Sequence, residues 1–203
     1  MAANGKPSRA VVTCMDYRIK EPVILNYMGW DKAYVIRNAG GVVTADVVRS
    51  LMLLQKFILG GQSRLDVVVV THTGCGMLMP SDVGDNPWRN DIEHDIWIAE
   101  TPPFALETFP TPELGVRRSV QRIRSSYFVS TAPTALTIAG GVYHVETDTM
   151  RKVTTHVVEP GETWYSVARR YGISEVDLRE ANPQAPSDVI APGQVLYIPP
   201  VPV

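Results

Sequence analysis

Apolar residues first arrive in short unbroken runs, separated by amphipathic stretches. Ala10-Val11-Val12-Thr13, Ala33-Tyr34-Val35-Ile36 and the valines Val67 to Val70 are too short for helices and rich in β-branched residues. Such runs predict strands, the valine run one that is buried on both faces. Between the first two, Pro22 to Met28 suits a short helix. A longer helix follows from Thr44, its N-cap, with Asp46 complementing the N-terminal dipole. Val47, Val48, Leu51, Leu54 and Ile58 form one apolar stripe, which Gly60-Gly61 ends. The order β-α-β-α-β predicts an α/β fold with a parallel sheet and right-handed crossovers.

The texture changes at Met79. Residues 79–112 hold six prolines, two tryptophans and the acidic run Asp91 to Asp95. They predict a long connection serving as a lid or a subunit contact, with Glu93, His94 and Asp95 on a solvated face. Glu113 to Ser126 predicts a helix with basic residues on one side. Thr134 to His144 predicts a strand kinked at Gly140-Gly141, and Thr147-Asp148 a turn into Lys152-Val153. His144 and His156 read as edge-strand residues rather than ligands. From His156 on, the pattern is a strand at Val157-Val158, a turn at Pro160-Gly161 and a helix capped by Thr163. A second helix over Glu175 to Glu180 and a strand from Val195 to Ile198, behind Pro192-Gly193, complete it. The chain thus divides into residues 1–154 and 155–203. Removing residues 156–203 is expected to spare the fold and metal site of the first unit.

Composition narrows the function classes. With 203 residues, 45% hydrophobic and 20% charged, the chain has enough apolar surface for a packed core. A net charge of −2 gives no reason to expect nucleic acid or an anionic membrane as partner. No apolar run approaches the roughly 20 residues that span a bilayer. The segment MAANGKPSRA lacks the apolar core of a signal peptide, so a cytoplasmic protein is expected. In such a chain, Cys14 and Cys75 favour thiols or metal ligands over a disulfide.

The candidate chemistry sits where the strands end. His72 and Cys75 lie three apart on a Gly-flanked turn after the valine strand. That spacing lets an imidazole and a thiolate reach one ion, and the pair suits zinc. Cys14 ends the first strand. If the two strands are neighbours, their carboxyl ends bring Cys14, His72 and Cys75 together, where open α/β sheets place their sites. Asp16 and Arg18 alternate with Cys14, so a continuing strand would set them on one face as a charge-assisted pair beside the metal. A surface ion pair is the alternative. The paired glycines of Arg37-Asn38-Ala39-Gly40-Gly41 allow positive φ and close backbone approach. Three protein ligands leave zinc one open position, where water gives a hydroxide near neutral pH. Two thiolates offset the ion's charge, so a basic pH optimum is expected.

CMDYR, RNAGG and HTGCGM, in this order and spacing, resemble the β-class carbonic anhydrases. The likeness is to the short branch that includes archaeal and mycobacterial forms and the carbonyl sulfide hydrolases, and it covers Ser8 to about Thr154. It implies a parallel-core sheet flanked by helices, Zn2+ held by Cys14, His72 and Cys75, and Asp16 with Arg18 as the catalytic dyad. It also implies a dimer or tetramer with sites at the subunit boundary. Gly40, Gly41, Gly74 and Gly76 are expected around the substrate pocket. The implied reaction is hydration of CO2 to bicarbonate by a zinc-bound hydroxide that Asp16 orients. The alternative is hydrolysis of carbonyl sulfide (COS) to hydrogen sulfide and CO2 at the same zinc. The chain departs from the pattern at Gly74, where many members of this branch carry Asp, so any role of that carboxylate is absent.

His156 to Pro199 resembles a LysM module, which implies a small βααβ domain. Its groove is expected at Gly161, Glu162, Thr163, Trp164, Asn182 and Ile190, with Trp164 offering an apolar face to a sugar ring of a chitin or peptidoglycan-type glycan. A further alternative follows from this resemblance: a glycan-binding or scaffolding protein whose zinc, closed off by Asp16, is structural.

Overall fold

The computed structural model describes residues 7–60, 64–78, 107–126, 136–182, 185 and 188–199. Strand β1 (Arg9–Cys14) lies between β2 (Tyr34–Asn38) and β3 (Leu65–His72), parallel to both, and β3 pairs in parallel with β4 (Leu136–His144). The chain turns back through residues 145–148 into the antiparallel β5 (Thr149–Val157). The last strand, β6 (Val195–Ile198), completes the order β2-β1-β3-β4-β5-β6.

The two-residue period of a strand explains how the apolar runs are shared out. Ala10, Val12, Val67 and Val69 enter a core with α2 (Ala45–Leu53) and α3 (Pro112–Ser125). Val11, Val68 and Val70 enter a second core with Ile24 of α1 (Glu21–Met28). The valine strand is therefore buried on both faces, as its composition predicts.

Helix α2 begins as expected, the Thr44 hydroxyl accepting from the Val47 N–H. Its end differs, because Leu54–Ile58 forms a π-helical turn. The wider turn breaks the apolar stripe, burying Gln55 and leaving Ile58 exposed. Gly60 adopts a φ of 73° just beyond it, and Gly61 lies outside the described residues.

The kink expected in β4 is absent: the strand passes through Gly140-Gly141 in unbroken register with β3 and β5. The glycines answer to packing instead. A Cβ on Gly140 would lie 2.2 Å from Cγ1 of Val116 in α3, and one on Gly141 2.7 Å from Cε of Met150. β4 is paired on both sides as far as Tyr143, and His144, at its end, pairs with Thr149 of β5 alone. Helix α3 also carries a buried arginine, Arg117, among its otherwise basic exposed positions. The acidic run at residues 91–95, with Glu93, His94 and Asp95, lies outside the described residues.

The C-terminal strand-helix-helix-strand pattern is present. Helix α4 (Trp164–Tyr171) starts at a reciprocal capping box between Thr163 and Ser166, and α5 (Glu175–Glu180) follows a Ser174 cap. Val158, Val167, Leu178 and Leu196 form its core. Trp164 belongs to that core as well. It is only 2% exposed, and the Arg179 guanidinium lies 4.9 Å over its ring. The expectation that Trp164 offers a face to a sugar is thereby corrected: the first turn of α4 directs its ring inward. His156 is also buried, its Nε2 2.6 Å from Glu162 Oε2.

Strand β5 is shared between the two units. Thr149 to Val153 pair with β4, whereas Thr154 to Val157 pair with β6. The border expected at 154/155 thus falls inside one strand, one residue past the point where it changes partner.

Candidate metal centre

The parallel register sets Thr13 of β1 opposite Val70 of β3, so Cys14 and His72 emerge at adjacent strand ends. A turn with Gly74 at a φ of 62° then brings Cys75 back towards them. The donor atoms of Cys14, His72 and Cys75 lie within 4.8 Å of one another, and all three residues are buried. The two sulfurs are 4.0 Å apart. Among the described residues this is the one group of three or more His, Cys, Asp or Glu placed to hold a metal.

Protonation fits that role. His72 Nδ1–H donates to the Thr73 carbonyl at 2.9 Å, which leaves the ring's lone pair on Nε2. That nitrogen is buried and has no hydrogen-bond partner, an expensive state unless something takes up its lone pair. The Cys14 thiol is pulled down to about 4, first by its hydrogen bond with Cys75, then by His72 and the backbone N–H groups of Asp16 and Gly40, against the effect of burial. The same sulfur–sulfur contact, helped by burial, pushes Cys75 up. The pair thus shares a proton, and ionising both sulfurs requires a cation between them. A buried set of two sulfurs and one imidazole lone pair fits a divalent metal.

Asp16 and Arg18 stand next to this group, although not on a continuing strand. β1 stops at Cys14, and the pair closes across a turn instead. The Arg18 backbone N–H and Nε donate to Asp16 Oδ1 at 2.9 and 3.0 Å, and Nη2 donates to Oδ2 at 2.7 Å. Arg18 Nη2 also donates to the Gly74 carbonyl at 3.0 Å, tying the CMDYR turn to the ligand turn. The guanidinium holds the Asp16 carboxyl well below the usual carboxylate range. Asp16 Oδ2 lies 3.8 Å from His72 Nε2.

Comparison with known proteins agrees with this geometry. The carbonic anhydrase family model matches residues 9–150, and the LysM domain model matches residues 156–199. Beta-carbonic anhydrase 1 of Mycobacterium tuberculosis is 37% identical over 145 residues, covering 71% of this chain and 81% of that protein. The chain belongs to the β-carbonic anhydrase family. It is also 30% identical over 164 residues to a carbon disulfide hydrolase of Acidianus, covering 70% of this chain and 75% of that protein. Among solved structures, the carbonic anhydrase from Glaciozyma antarctica superposes with a TM-score of 0.54 at 29% identity, covering 71% of this chain and 80% of that one. The carbonic anhydrase of Streptococcus mutans gives 0.52 at 27%, covering 72% and 81%.

The four glycines expected near the substrate divide into two kinds in this chain. Gly40 and Gly41 are buried at positive φ, and Gly40 N–H donates to Cys14 Sγ at 3.2 Å. A Cβ on Gly41 would stand 2.8 Å from the Val70 carbonyl oxygen and 2.9 Å from the Cys14 nitrogen, so only glycine lets this loop lie against the strand ends. Gly74 and Gly76 are exposed on the ligand turn, Gly76 with open space beside it.

Sequence reasoning missed the buttress behind the site. The Thr73 hydroxyl donates to Glu146 at 2.7 Å and accepts from the Val145 N–H, while Tyr143 donates to Asp148, which also pairs with Lys20. The turn after β4 therefore holds both ligand-bearing loops. No local pattern signals this, because the partners are distant in sequence and meet only through the β3–β4 pairing. In the C-terminal module, Thr163 is spent on its cap and Ile190 on the core. Asn182 donates to the Leu178 and Tyr197 carbonyls and accepts from the Tyr197 N–H. Glu162 is engaged by His156, the Glu159 N–H and Arg170, and Gly161 turns at a φ of 86°.

Proposed function

We propose that this β-carbonic anhydrase holds one zinc ion on Cys14, His72 and Cys75 and hydrates CO2 to bicarbonate. The observation that carries the reading is the buried, partnerless Nε2 of His72 converging with two buried sulfurs that lie 4.0 Å apart. Zinc, when bound, supplies a Lewis acid that acidifies water at its open coordination position. The chain's own residues do the rest. Asp16 stays ionised across neutral pH and offers an acceptor that orients the attacking water. Arg18 engages both carboxylate oxygens, which fixes that acceptor and keeps Asp16 from becoming a fourth ligand. The Gly74 carbonyl anchors Arg18 in turn.

The likeness to the Acidianus carbon disulfide hydrolase supports a second reading, in which COS or carbon disulfide is attacked at the same residues. All three molecules present a linear, electrophilic carbon. A side-by-side assay of zinc-loaded protein decides between them. Faster turnover of CO2 is expected, whereas hydrogen sulfide release without CO2 hydration would favour the second reading. Inertness towards all three substrates would leave a structural ion.

Three finer points belong to the same proposal. Met15 and Tyr17, which flank Asp16, are exposed, Tyr17 at 92%, and this supports a dimer or tetramer with the site at the subunit boundary. Light scattering tests it. A cytoplasmic setting belongs to the same reading, because a reducing compartment keeps Cys14 and Cys75 available to the metal. Exposed Tyr165 and Val189, beside the groove loops, support a chitin or peptidoglycan-type ligand for the module, and a pull-down on those polymers tests it.

A further inference from the structure

We infer that the C-terminal module is a built-in part of the metal-binding half, folding and opening with it as one cooperative unit, and not a tethered appendage. The shared strand is the first ground. β5 hands over from β4 to β6 between Val153 and Thr154, with no linker between the two pairings. A hinge there would have to break a continuous strand.

The second ground is the core. Val195 of β6 is buried in the same apolar cluster as Val116, Val120 and Ile123 of α3 and Val153 of β5, with Tyr197 packed against it. That cluster also holds Ala10 and Val12 of β1 and Val67 and Val69 of β3. The module's other strand residues, Leu196 and Ile198, point into its own core. One short strand thus alternates between two cores, its odd positions serving the catalytic half.

The third ground is polar. Arg117 of α3 is buried, and its Nη1 donates to the Val195 carbonyl at 3.4 Å. Burial of this guanidinium suits a permanent seam better than a surface that separates. Arg151 of β5 pairs with Glu113 of α3 nearby. The same helix reaches the site from its other positions. The Ser119 hydroxyl accepts from the Val43 N–H at 3.1 Å, and Arg122 Nη1 donates to the Val43 carbonyl at 2.8 Å. Val43 closes the loop whose Gly40 N–H reaches Cys14. The module therefore packs on the same helix that holds the Val43 end of the loop bearing Gly40.

Hydrogen exchange on the full chain across a urea series tests this. One shared midpoint is expected for amides in β3, α3, α4 and β6. Separate midpoints, with α4 and β6 opening first, would overturn the inference. Leu178→Ala then perturbs only the module's own core. It should lower protection in β3 and α3 by the same factor as in β6, about tenfold or more, or unfold the whole chain. Loss of protection confined to residues 156–199 would make the module an independent appendage.

Discussion

The cluster at the strand ends and the polar cluster of the C-terminal module are both buried, yet they treat their polar atoms in opposite ways. In the module, Asn182 uses its amide three times and Glu162 is matched by His156, Arg170 and a backbone N–H. These contacts close within the chain. At the strand ends, two sulfurs 4.0 Å apart push each other's ionisation in opposite directions, and the imidazole keeps a lone pair with no taker. Burial alone does not separate fold from function, since both clusters are inside. What separates them is whether the donors and acceptors satisfy one another. A buried set that converges without closing is shaped for something the chain does not itself supply.

The contrast breaks most sharply at Cys75. Cys75→Ser should reduce bound zinc from about one per chain to background in elemental analysis, because a hydroxyl is a poor replacement for a thiolate. Activity should vanish with it. Full occupancy in this variant would refute the ligand assignment.

Next in size is Trp164. As a core residue, Trp164→Ala should cost about 3–5 kcal/mol in denaturant titrations, while the exposed Tyr165→Ala should stay within about 0.5 kcal/mol. Unchanged stability for Trp164→Ala would return that ring to the groove.

Asp16→Ala separates chemistry from metal binding. It should keep its zinc but lose turnover about a hundredfold to a thousandfold, ~3–4 kcal/mol of transition-state stabilisation. Wild-type rates would reduce the dyad to a surface ion pair.

The smallest effect is in acid. The Asp16 carboxyl is held down by Arg18, below its unfolded value of about 3.9. Its stabilising contribution is therefore present above that pH and lost as pH falls below it. Asp16→Asn should lower the thermal midpoint of the metal-free protein by a few degrees at pH 7 and by less at pH 3. An equal drop at both would show that the charge is not the cause.

Much of this is legible in the amino-acid sequence alone. The valine strand and the His72–Cys75 spacing are local signals, whereas the adjacency of β1 and β3 that joins Cys14 to them is only a condition in the sequence and is supplied by the sheet order. The helix caps at Thr44 and Thr163 are equally local. What escaped depends on contacts across the fold. A π-turn after Leu53 exchanged Ile58 for Gln55, and a stripe drawn at 3.6 residues per turn does not foresee that. Gly140 and Gly141 looked like a bend, but they are clearance for Val116 and Met150. Trp164 looked like a ligand platform because aromatic rings suit sugars and cores alike, and only the packing around it decides. The buttress of Thr73, Glu146, Tyr143 and Asp148 joins segments that share no sequence pattern.

The central claim is that the open cluster is a working metal site, and stepwise metal removal tests it most directly. Zinc content and CO2 hydration would be measured on the same samples during chelation and again on adding zinc back. The account predicts that activity falls in proportion to zinc, returns with one equivalent per chain, and does not return in Cys75→Ser. Full CO2 hydration by zinc-free protein would contradict it.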